Sequence, residues 1–250
     1  MIEQQKDVAL ITGAGRGLGA QIATSLAEAG FRVAVSDASE ANLAAFADAT
    51  SLSAESYITL PLDVREKGDF ASALETVKGR FGGVQVLVNC AAVTRTTPLF
   101  DISPEEFSQV MDINLRSVFV GCQVFGAYFR EQGYGRIVNI ASLAGQNGGT
   151  ATGAHYAASK GAIVTLTKVF ARELAAHGVT ANAIAPGPLD VPLLSEILPS
   201  DKLAGMPSII PVGQLGDPAF IGDIVALLAS RRAASITGAT IDANGGLYVR

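Results

Sequence analysis

The chain has 250 residues, a length that suits one large α/β domain or two small ones with a sizeable core. It is 49% hydrophobic and only 16% charged, a composition typical of a sheet buried on both faces or of an oligomer. The formal net charge of −5, without a basic cluster in any segment, disfavours nucleic acid as a partner.

The first predicted elements are a strand, a glycine-rich turn and a helix. An apolar, β-branched run over residues 7–12 precedes GAGRGLG, and the apolar residues that follow recur at helical spacing. Glycines permit a tight turn and a close approach of the backbone to a ligand, while the helix N-terminus attracts phosphate. The spacing of Gly13, Gly17 and Gly19 differs from the usual GxGxxG of dinucleotide-binding turns. The predicted cofactor contacts in this turn are Gly13, Gly15, Arg16, Gly17, Leu18 and Gly19.

The second predicted strand, residues 31–37, ends in Asp37. A carboxylate at this point can accept hydrogen bonds from both adenosine ribose hydroxyls and would repel the 2′-phosphate of NADP. NAD is therefore the expected cofactor. Two alternatives stay open, because Asp37 can instead cap the helix that starts near Ser39, and Arg16 can meet a 2′-phosphate.

Strands and helices continue to alternate to the end of the chain. The further predicted strands are residues 57–64, 84–89, 136–142, 180–185 and 239–242, and the further helices are residues 41–49, 66–81, 103–131, 156–176 and 219–229. This alternation predicts an α/β fold, a Rossmann-type doubly wound parallel sheet with helices on both faces, formed by one domain over residues 1–250. Ligands of such sheets bind at the carboxyl ends of the strands, where Asp63, Asn89 and Ser142 fall.

Residues 188–218 are rich in proline, leucine and isoleucine and poor in charge. So long an apolar segment is more typical of a functional loop than of a simple surface connection. We predict that it is a lid over a neutral or apolar substrate.

Tyr156 and Lys160 lie four residues apart, so on a helix they share one face. A nearby ammonium favours the phenolate and lowers a tyrosine pKa towards neutrality, where the group can exchange protons. The hydroxyl of Ser142, after its predicted strand, can hydrogen-bond a substrate oxygen. A tyrosine and a lysine at this spacing are often only a packing pair, so the functional interpretation depends on the rest of the chain.

Cys90 and Cys122 are the only cysteines, and there are two histidines. Without a CxxC pair, they predict reduced, buried thiols and no metal site. The N-terminal residues lack the basic and apolar parts of a signal peptide, and no apolar run has membrane-spanning length. We therefore expect a cytoplasmic protein without a membrane partner.

Taken together, these residues resemble the short-chain dehydrogenase/reductase family over essentially the whole chain. The family's TGxxxGxG motif matches residues 12–19, and its YxxxK motif matches Tyr156 to Lys160. The resemblance implies that Tyr156 is the general acid/base and that Ser142 polarises the carbonyl. It also implies that Lys160 holds the nicotinamide ribose and lowers the Tyr156 pKa. Asn114 would support a water in the proton relay. The remaining cofactor contacts that it implies are Asp63 and Val64 at the adenine, Asn89 and Ala91 along the cofactor, and Pro186, Gly187 and Val191 near the nicotinamide.

Three features depart from the family pattern. NCAA replaces the usual NNAG, which puts Ala92 at the family's glycine. The interval between Ser142 and Tyr156 is one residue longer than usual. Val191 stands where a threonine often touches the nicotinamide amide, so contacts there are expected to come from the backbone.

The resemblance implies an oxidoreductase but leaves the substrate open. We favour hydride transfer between NAD(H) and a small secondary alcohol or ketone, including cyclic and aromatic ones. The alternative is a 3-oxoacyl-[acyl-carrier-protein] or 3-oxoacyl-CoA reductase. Asp37 argues for the first, whereas Arg130, Arg136 and Arg172 could serve an acidic carrier protein.

A non-catalytic nucleotide-binding protein is a third possibility. The presence of both Tyr156 and Lys160 argues against it. The resemblance also implies a homotetramer, formed through the helices that carry Asn114 and Tyr156 and through the C-terminal segment GGLYVR.

Overall fold

The computed structural model describes residues 6–149, 152–192 and 200–250. The strands are β1 (Val8–Thr12), β2 (Arg32–Asp37), β3 (Tyr57–Pro61), β4 (Val86–Asn89), β5 (Gly135–Ile140), β6 (Val179–Pro186) and β7 (Thr240–Ala243). They form one seven-stranded sheet in the order β3-β2-β1-β4-β5-β6-β7. Every neighbouring pair is parallel, which confirms the predicted sheet.

Helices connect the strands. They are α1 (Gly17–Glu28), α2 (Glu40–Ala49), α3 (Lys67–Phe81), α4 (Pro104–Met111), α5 (Ser117–Gln132), α6 (Ala144–Asn147), α7 (Ala154–Leu174), α8 (Ser200–Ile209) and α9 (Pro218–Ala229). Within the described ranges, none of them combines the length and the apolar character that crossing a bilayer requires.

The sheet separates two apolar layers, as the doubly wound prediction requires. Alternate residues of a strand point to opposite faces, so Leu10 of β1 packs with α3, α5 and α7, whereas Ile11 packs with α1, α2 and α9. Both side chains are fully buried. Large aromatic residues, including Phe70 of α3 and Phe125 of α5, fill the first layer.

The strand order reverses between β1 and β4, which opens a crevice at their carboxyl ends. Thr12 joins the two strands there, since its Oγ1 accepts hydrogen bonds from the backbone N–H groups of Cys90 at 3.1 Å and Ala91 at 3.2 Å. The glycine turn after β1 therefore lies beside the segment that follows β4.

Three details differ from the predicted elements. The single helix predicted over residues 103–131 is interrupted by a π-helical turn, Asp112–Arg116, between α4 and α5. The short helix α6 was not predicted, and neither was α8, which occupies part of the proposed lid. Lid residues 193–199 lie outside the described residues.

Candidate active site

The turn between β1 and α1 has the geometry of a phosphate cradle. Gly13 and Gly17 have φ values of 64° and 57°, in the left-handed region that favours glycine. A Cβ on Gly19 would overlap the carbonyl oxygen of Gly13. In the described part of the chain, no side chain caps the N-terminus of α1, so its positive end faces the turn. These features fit the pyrophosphate of a dinucleotide.

The alanine substitution in NCAA leaves the neighbouring backbone regular. A Cβ on Gly13 would lie 2.6 Å from the Cα of Ala91, so the two segments touch at this point. Every described residue with a positive φ is a glycine, so Ala92 does not adopt the left-handed backbone that favours glycine. The predicted contact residue Ala91 lies directly against the glycine turn.

Asp37 connects the glycine turn to the start of α2. Its Oδ2 accepts a hydrogen bond from the backbone N–H of Gly15 at 3.2 Å. Its Oδ1 accepts from the N–H of Ser39 at 2.9 Å and from Asn42 Nδ2 at 3.2 Å. Ser39 is itself the N-cap of α2, so Asp37 supports this helix start as well as the turn. Because a carboxylate offers about four acceptor positions, these bonds leave capacity for a ribose hydroxyl.

Other predicted cofactor residues use their side chains within the protein. The Asp63 carboxylate pairs with Arg65, whose hydrogen bonds and charge lower its pKa against the opposing effect of burial. Val64 packs into the core. Asn89 Nδ2 donates to Asn139 Oδ1 at 2.8 Å, deep in the sheet. Contacts of Val64 and Asn89 with a cofactor would therefore come mainly from their backbone.

Tyr156, Ser142 and Thr94 converge on one point beyond the carboxyl ends of β4 and β5. Tyr156 is on the first turn of α7, Ser142 follows β5, and Thr94 follows β4. The Ser142 and Thr94 hydroxyls both lie close enough to the Tyr156 phenol to lower its pKa. Ser142 Oγ also accepts the backbone N–H of Ala144 at 3.1 Å, which fixes it at the start of α6. The structure thus brings Ser142 and Tyr156 together and adds Thr94.

The pKa of Tyr156 differs from the expectation. Burial raises it, because removing a phenol from water disfavours the phenolate, and the hydrogen bonds of Ser142 and Thr94 partly oppose this rise. We had expected Lys160 to lower it. Instead, Lys160 Nζ lies 5.7 Å from the centre of the Tyr156 ring and donates to the Ile140 carbonyl oxygen at 2.7 Å.

Lys160 is itself buried, with 3% of its surface exposed. Burial lowers its pKa to about 8, while the nearby Cys90 thiol acts in the opposite direction. Within the described residues the ammonium donates one hydrogen bond, to Ile140, although it carries three donors. The remaining donors fit the hydroxyls of a nicotinamide ribose.

This buried lysine predicts a particular pH dependence of stability. Because the ordinary lysine pKa is 10.5 and the folded value is about 8, the unfolded chain binds more protons between these values. The Lys160 contribution to stability is therefore least favourable below pH 8 and improves as pH rises through this window. The unfolding free energy of the wild type minus that of Lys160→Met should increase by up to about 3 kcal/mol from neutral to alkaline pH.

Urea unfolding of the nucleotide-free protein at a series of pH values measures this difference. Lys168→Met, which removes an exposed lysine from the same helix, provides the control. Parallel pH curves for the wild type and Lys160→Met would show that Lys160 titrates normally in the folded protein.

Asn114 lies in the π-helical turn and is fully buried. Its Oδ1 accepts the backbone N–H of Val93 at 2.8 Å, and its Nδ2 donates to the Val93 carbonyl at 3.0 Å and to Ser159 Oγ at 3.2 Å. The side chain therefore holds the backbone just before Thr94. Its predicted role in a water relay stays a prediction.

Pro186, Gly187 and Val191 lie where β6 leads into the proposed lid. The Pro186 carbonyl accepts the N–H of Leu143, which ties this edge to the Ser142 segment. A Cβ on Gly187 would lie 2.8 Å from the Cα of Asn244, so the chain passes close to the end of β7. Val191 is half-buried and packs against the apolar layer formed with α1, α2 and α9.

Sequence reasoning missed Thr94 and the pair formed by Glu106 and His155. His155 is fully buried, and its Nε2 lies 2.9 Å from Glu106 Oε1. The sequence offered one signal for this pair, namely that His155 directly precedes Tyr156. A histidine at a helix start, however, indicates no specific partner. Thr94 is three residues before Thr97, which bonds Glu106, and its contact with Tyr156 exists only in the folded chain.

Comparison with known proteins places these residues in a family. The family model described as "Enoyl-(Acyl carrier protein) reductase" matches residues 13–248. The "3-oxoacyl-[acyl-carrier-protein] reductase FabG" of Vibrio cholerae serotype O1 is 38% identical over 242 residues, which cover 97% of both chains. The Escherichia coli K12 protein of that name is 37% identical over 244 residues, again 97% of both.

Two further proteins that resemble this chain carry names other than FabG. The "Short-chain reductase protein NovJ" of Streptomyces niveus is 35% identical over 250 residues, which cover 97% of this chain and 94% of that protein. A solved structure described as "Crystal structure of gox2181" superposes with a TM-score of 0.92 at 29% identity and covers 98% of this chain and 96% of its own.

Proposed function

Because the chain belongs to the short-chain dehydrogenase/reductase family, we propose that it transfers a hydride between NAD(H) and a small secondary alcohol or ketone. Membership makes it a nicotinamide-dependent oxidoreductase that acts on CH–OH groups. The observation that carries the proposal is the convergence of the Ser142 and Thr94 hydroxyls on the phenol of the half-buried Tyr156.

In our proposal Tyr156 moves the proton. During ketone reduction its hydroxyl donates to the carbonyl oxygen, and during alcohol oxidation the phenolate accepts the hydroxyl proton. Ser142 holds the same substrate oxygen by a hydrogen bond. The partial burial of Tyr156 supports this role, because electrostatic contacts are stronger in a site that excludes water.

The glycine turn and the N-terminus of α1 would hold the cofactor pyrophosphate, and Lys160 would hold the nicotinamide ribose. The nicotinamide supplies the hydride when bound. Asn114 would keep the Val93 backbone, and with it Thr94, at the correct distance from Tyr156.

The preference for NAD rests on Asp37. Its carboxylate is at the end of β2 and bonded to Gly15, so a 2′-phosphate at this point would meet a fixed negative charge. Arg16 in the same turn is the residue that would favour NADP, and the competition between these two charges is settled by measuring both cofactors.

The proposed lid supports a neutral or apolar substrate. A backbone bridge pins its ends together, since the N–H of Asp190 donates to the Gly216 carbonyl and the N–H of Gly216 donates to the Pro188 carbonyl. In the described part of the lid, the exposed apolar side chains include Ile209 and Val212, at 64% and 63% exposure.

A 3-oxoacyl thioester is the second candidate substrate, favoured by the names of the FabG relatives. Of the three arginines considered for an acidic carrier protein, Arg130 and Arg172 are exposed. Arg136 is buried, and its guanidinium donates to the carbonyls of Ser230, Gly135 and Gly178. Only two of the three are therefore available to a carrier.

We further propose that the protein is a homotetramer. Exposed apolar side chains on the two long helices, Phe119 at 43% and Val169 at 45%, support one interface. Leu227 of α9 and Val249 near the C-terminus, at 58% and 81%, support a second. The expected cytoplasmic location stays a prediction.

A comparison of substrates tests the proposed function directly. Purified protein is assayed by nucleotide absorbance with NAD and a panel of aliphatic, cyclic and aromatic secondary alcohols, and with NADH or NADPH and an acetoacetyl thioester. We expect NAD-linked alcohol oxidation with little thioester reduction. Thioester reduction that prefers NADPH would establish the second candidate, and nucleotide binding without any turnover would indicate a non-catalytic protein.

A further inference from the structure

We propose that Glu106 and His155 are positioning residues that hold the Thr94 hydroxyl against Tyr156. The buried His155 and the partly exposed Glu106 link helix α4 to the first turn of α7. This inference rests on the proposed acid/base role of Tyr156 and extends the catalytic arrangement to residues that do not touch the substrate.

His155 is held on both sides of its ring. Its Nδ1 accepts the backbone N–H of Tyr156 at 3.0 Å, one of the N–H groups that a helix start leaves without an internal partner. With Nδ1 as an acceptor, the neutral ring carries its proton on Nε2, which donates to Glu106 Oε1 at 2.9 Å. The ring packs against Gly153, where a Cβ would overlap it. His155 therefore fixes where α7 begins.

Glu106 extends the link to the segment that carries Thr94. The same Oε1 accepts the hydroxyl of Thr97 at 2.7 Å. Glu106 is positioned by the N-cap of α4, since its backbone N–H donates to Ser103 Oγ at 3.1 Å. One carboxylate oxygen thus joins α4, α7 and the segment after β4.

The segment between Val93 and Thr97 is restrained on both sides of Thr94. Asn114 binds Val93 through two hydrogen bonds. Beyond Thr94, the Arg95 carbonyl accepts the N–H of Gly153 at 2.7 Å, and Thr97 binds Glu106. Because Arg95 stays bound to Gly153, release of Glu106 removes one of the two restraints beyond Thr94 and loosens the segment whose hydroxyl meets Tyr156.

The charges around the link favour an ionised Glu106. Hydrogen bonds from Thr97 and His155 lower its pKa, burial opposes them, and the nearby charge of Arg95 adds to the lowering. Its side chain is 25% exposed and lines a surface cavity of about 610 Å³ that is also lined by Arg95 and Glu105. On the other side of Tyr156 the titratable groups are Cys90 and Lys160.

The test measures the pKa of Tyr156 directly, by NMR of protein labelled with ¹³C at tyrosine Cζ. The Tyr156 signal is assigned with Tyr156→Phe. The Thr94 hydroxyl lowers the Tyr156 pKa, so Thr94→Val should raise it. Glu106→Ala should raise it in the same direction. His155→Asn, which keeps an acceptor for the Tyr156 N–H but is too short to reach Glu106, should do the same.

Two variants serve as matched controls. Glu106→Gln keeps a carbonyl oxygen that can accept from Thr97 and His155, and it should restore the Tyr156 pKa. Glu105→Ala removes the carboxylate of the adjacent residue of α4. Thr97 and His155 bond Glu106 and not Glu105, so this variant should leave the Tyr156 pKa unchanged.

The double variant Thr94→Val/Glu106→Ala separates positioning from general support of the fold. If Glu106 acts through Thr94, the double variant should match Thr94→Val alone in the Tyr156 pKa and in kcat, which we expect to fall about tenfold. The proposal would be overturned if the double variant lost kcat by the product of the two single losses. It would also be overturned if Glu106→Ala lost thermal stability while the Tyr156 pKa stayed unchanged.

The NMR titration needs no substrate, so it also separates the acid/base role of Tyr156 from the positioning role of Glu106. If Tyr156→Phe retains turnover, the acid/base role fails even when Glu106→Ala shifts the Tyr156 pKa. If Tyr156→Phe is inactive and Glu106→Ala leaves that pKa unchanged, the positioning role alone fails.

Discussion

Replacement of Tyr156 by phenylalanine is expected to lower kcat by about 10²- to 10⁴-fold in both reaction directions, because no other group replaces its proton transfer. Phenylalanine keeps the ring that packs beside Lys160, so the nucleotide dissociation constant should change by less than about twofold. Steady-state kinetics with the best alcohol of the panel give the first quantity, and a fluorescence titration with NADH gives the second.

Tyr128→Phe is the matched control for this variant. It removes a phenolic hydroxyl from α5, where Tyr128 packs beside Phe129 and under Lys78, away from the proposed site. Its kcat should equal that of the wild type. Retained turnover in Tyr156→Phe would remove the acid/base assignment, and equal losses in both variants would indicate damage to the fold.

The second large effect is expected at Asp37. Asp37→Ala should lower the ratio of NADH to NADPH efficiency, each measured as kcat/KM, by about 10- to 100-fold. The carboxylate would no longer accept ribose hydrogen bonds and would no longer repel a 2′-phosphate. The ratio is the informative quantity, because loss of the bond to Gly15 also loosens the glycine turn for both nucleotides.

Two further variants make the Asp37 result specific. Asp48→Ala removes an exposed carboxylate at the far end of α2 and should leave the cofactor ratio unchanged. Addition of Arg16→Ala to Asp37→Ala should reduce the newly acquired use of NADPH if Arg16 meets the 2′-phosphate. An unchanged ratio in Asp37→Ala would mean that the carboxylate serves only the turn and the start of α2.

The fold was predictable because its signals are local. The strands before β7 are short apolar runs, each followed by a helix, and parallel sheets buried on both sides require this pattern. The two apolar layers then follow from the alternation of side chains along each strand. The predicted parallel sheet and family membership are both confirmed.

The interruption of the helix predicted over residues 103–131 was not predictable from periodicity. A π-helical turn inserts one residue per turn without changing the apolar character of the segment. Its consequence is specific, since it places Asn114 against the Val93 backbone. The short helix α6 is similarly set by the Ser142 hydroxyl, which accepts the N–H of Ala144.

The sequence by itself determined the order of strands and helices, the glycine turn, and the spacing that puts Tyr156 and Lys160 on one helix face. These follow from properties of neighbouring residues. Only the tertiary structure decided that Thr94 reaches Tyr156, that Lys160 turns to the Ile140 carbonyl, and that burial raises the Tyr156 pKa. Desolvation and hydrogen bonding depend on groups brought together from distant parts of the chain, and spacing along the sequence does not record those distances.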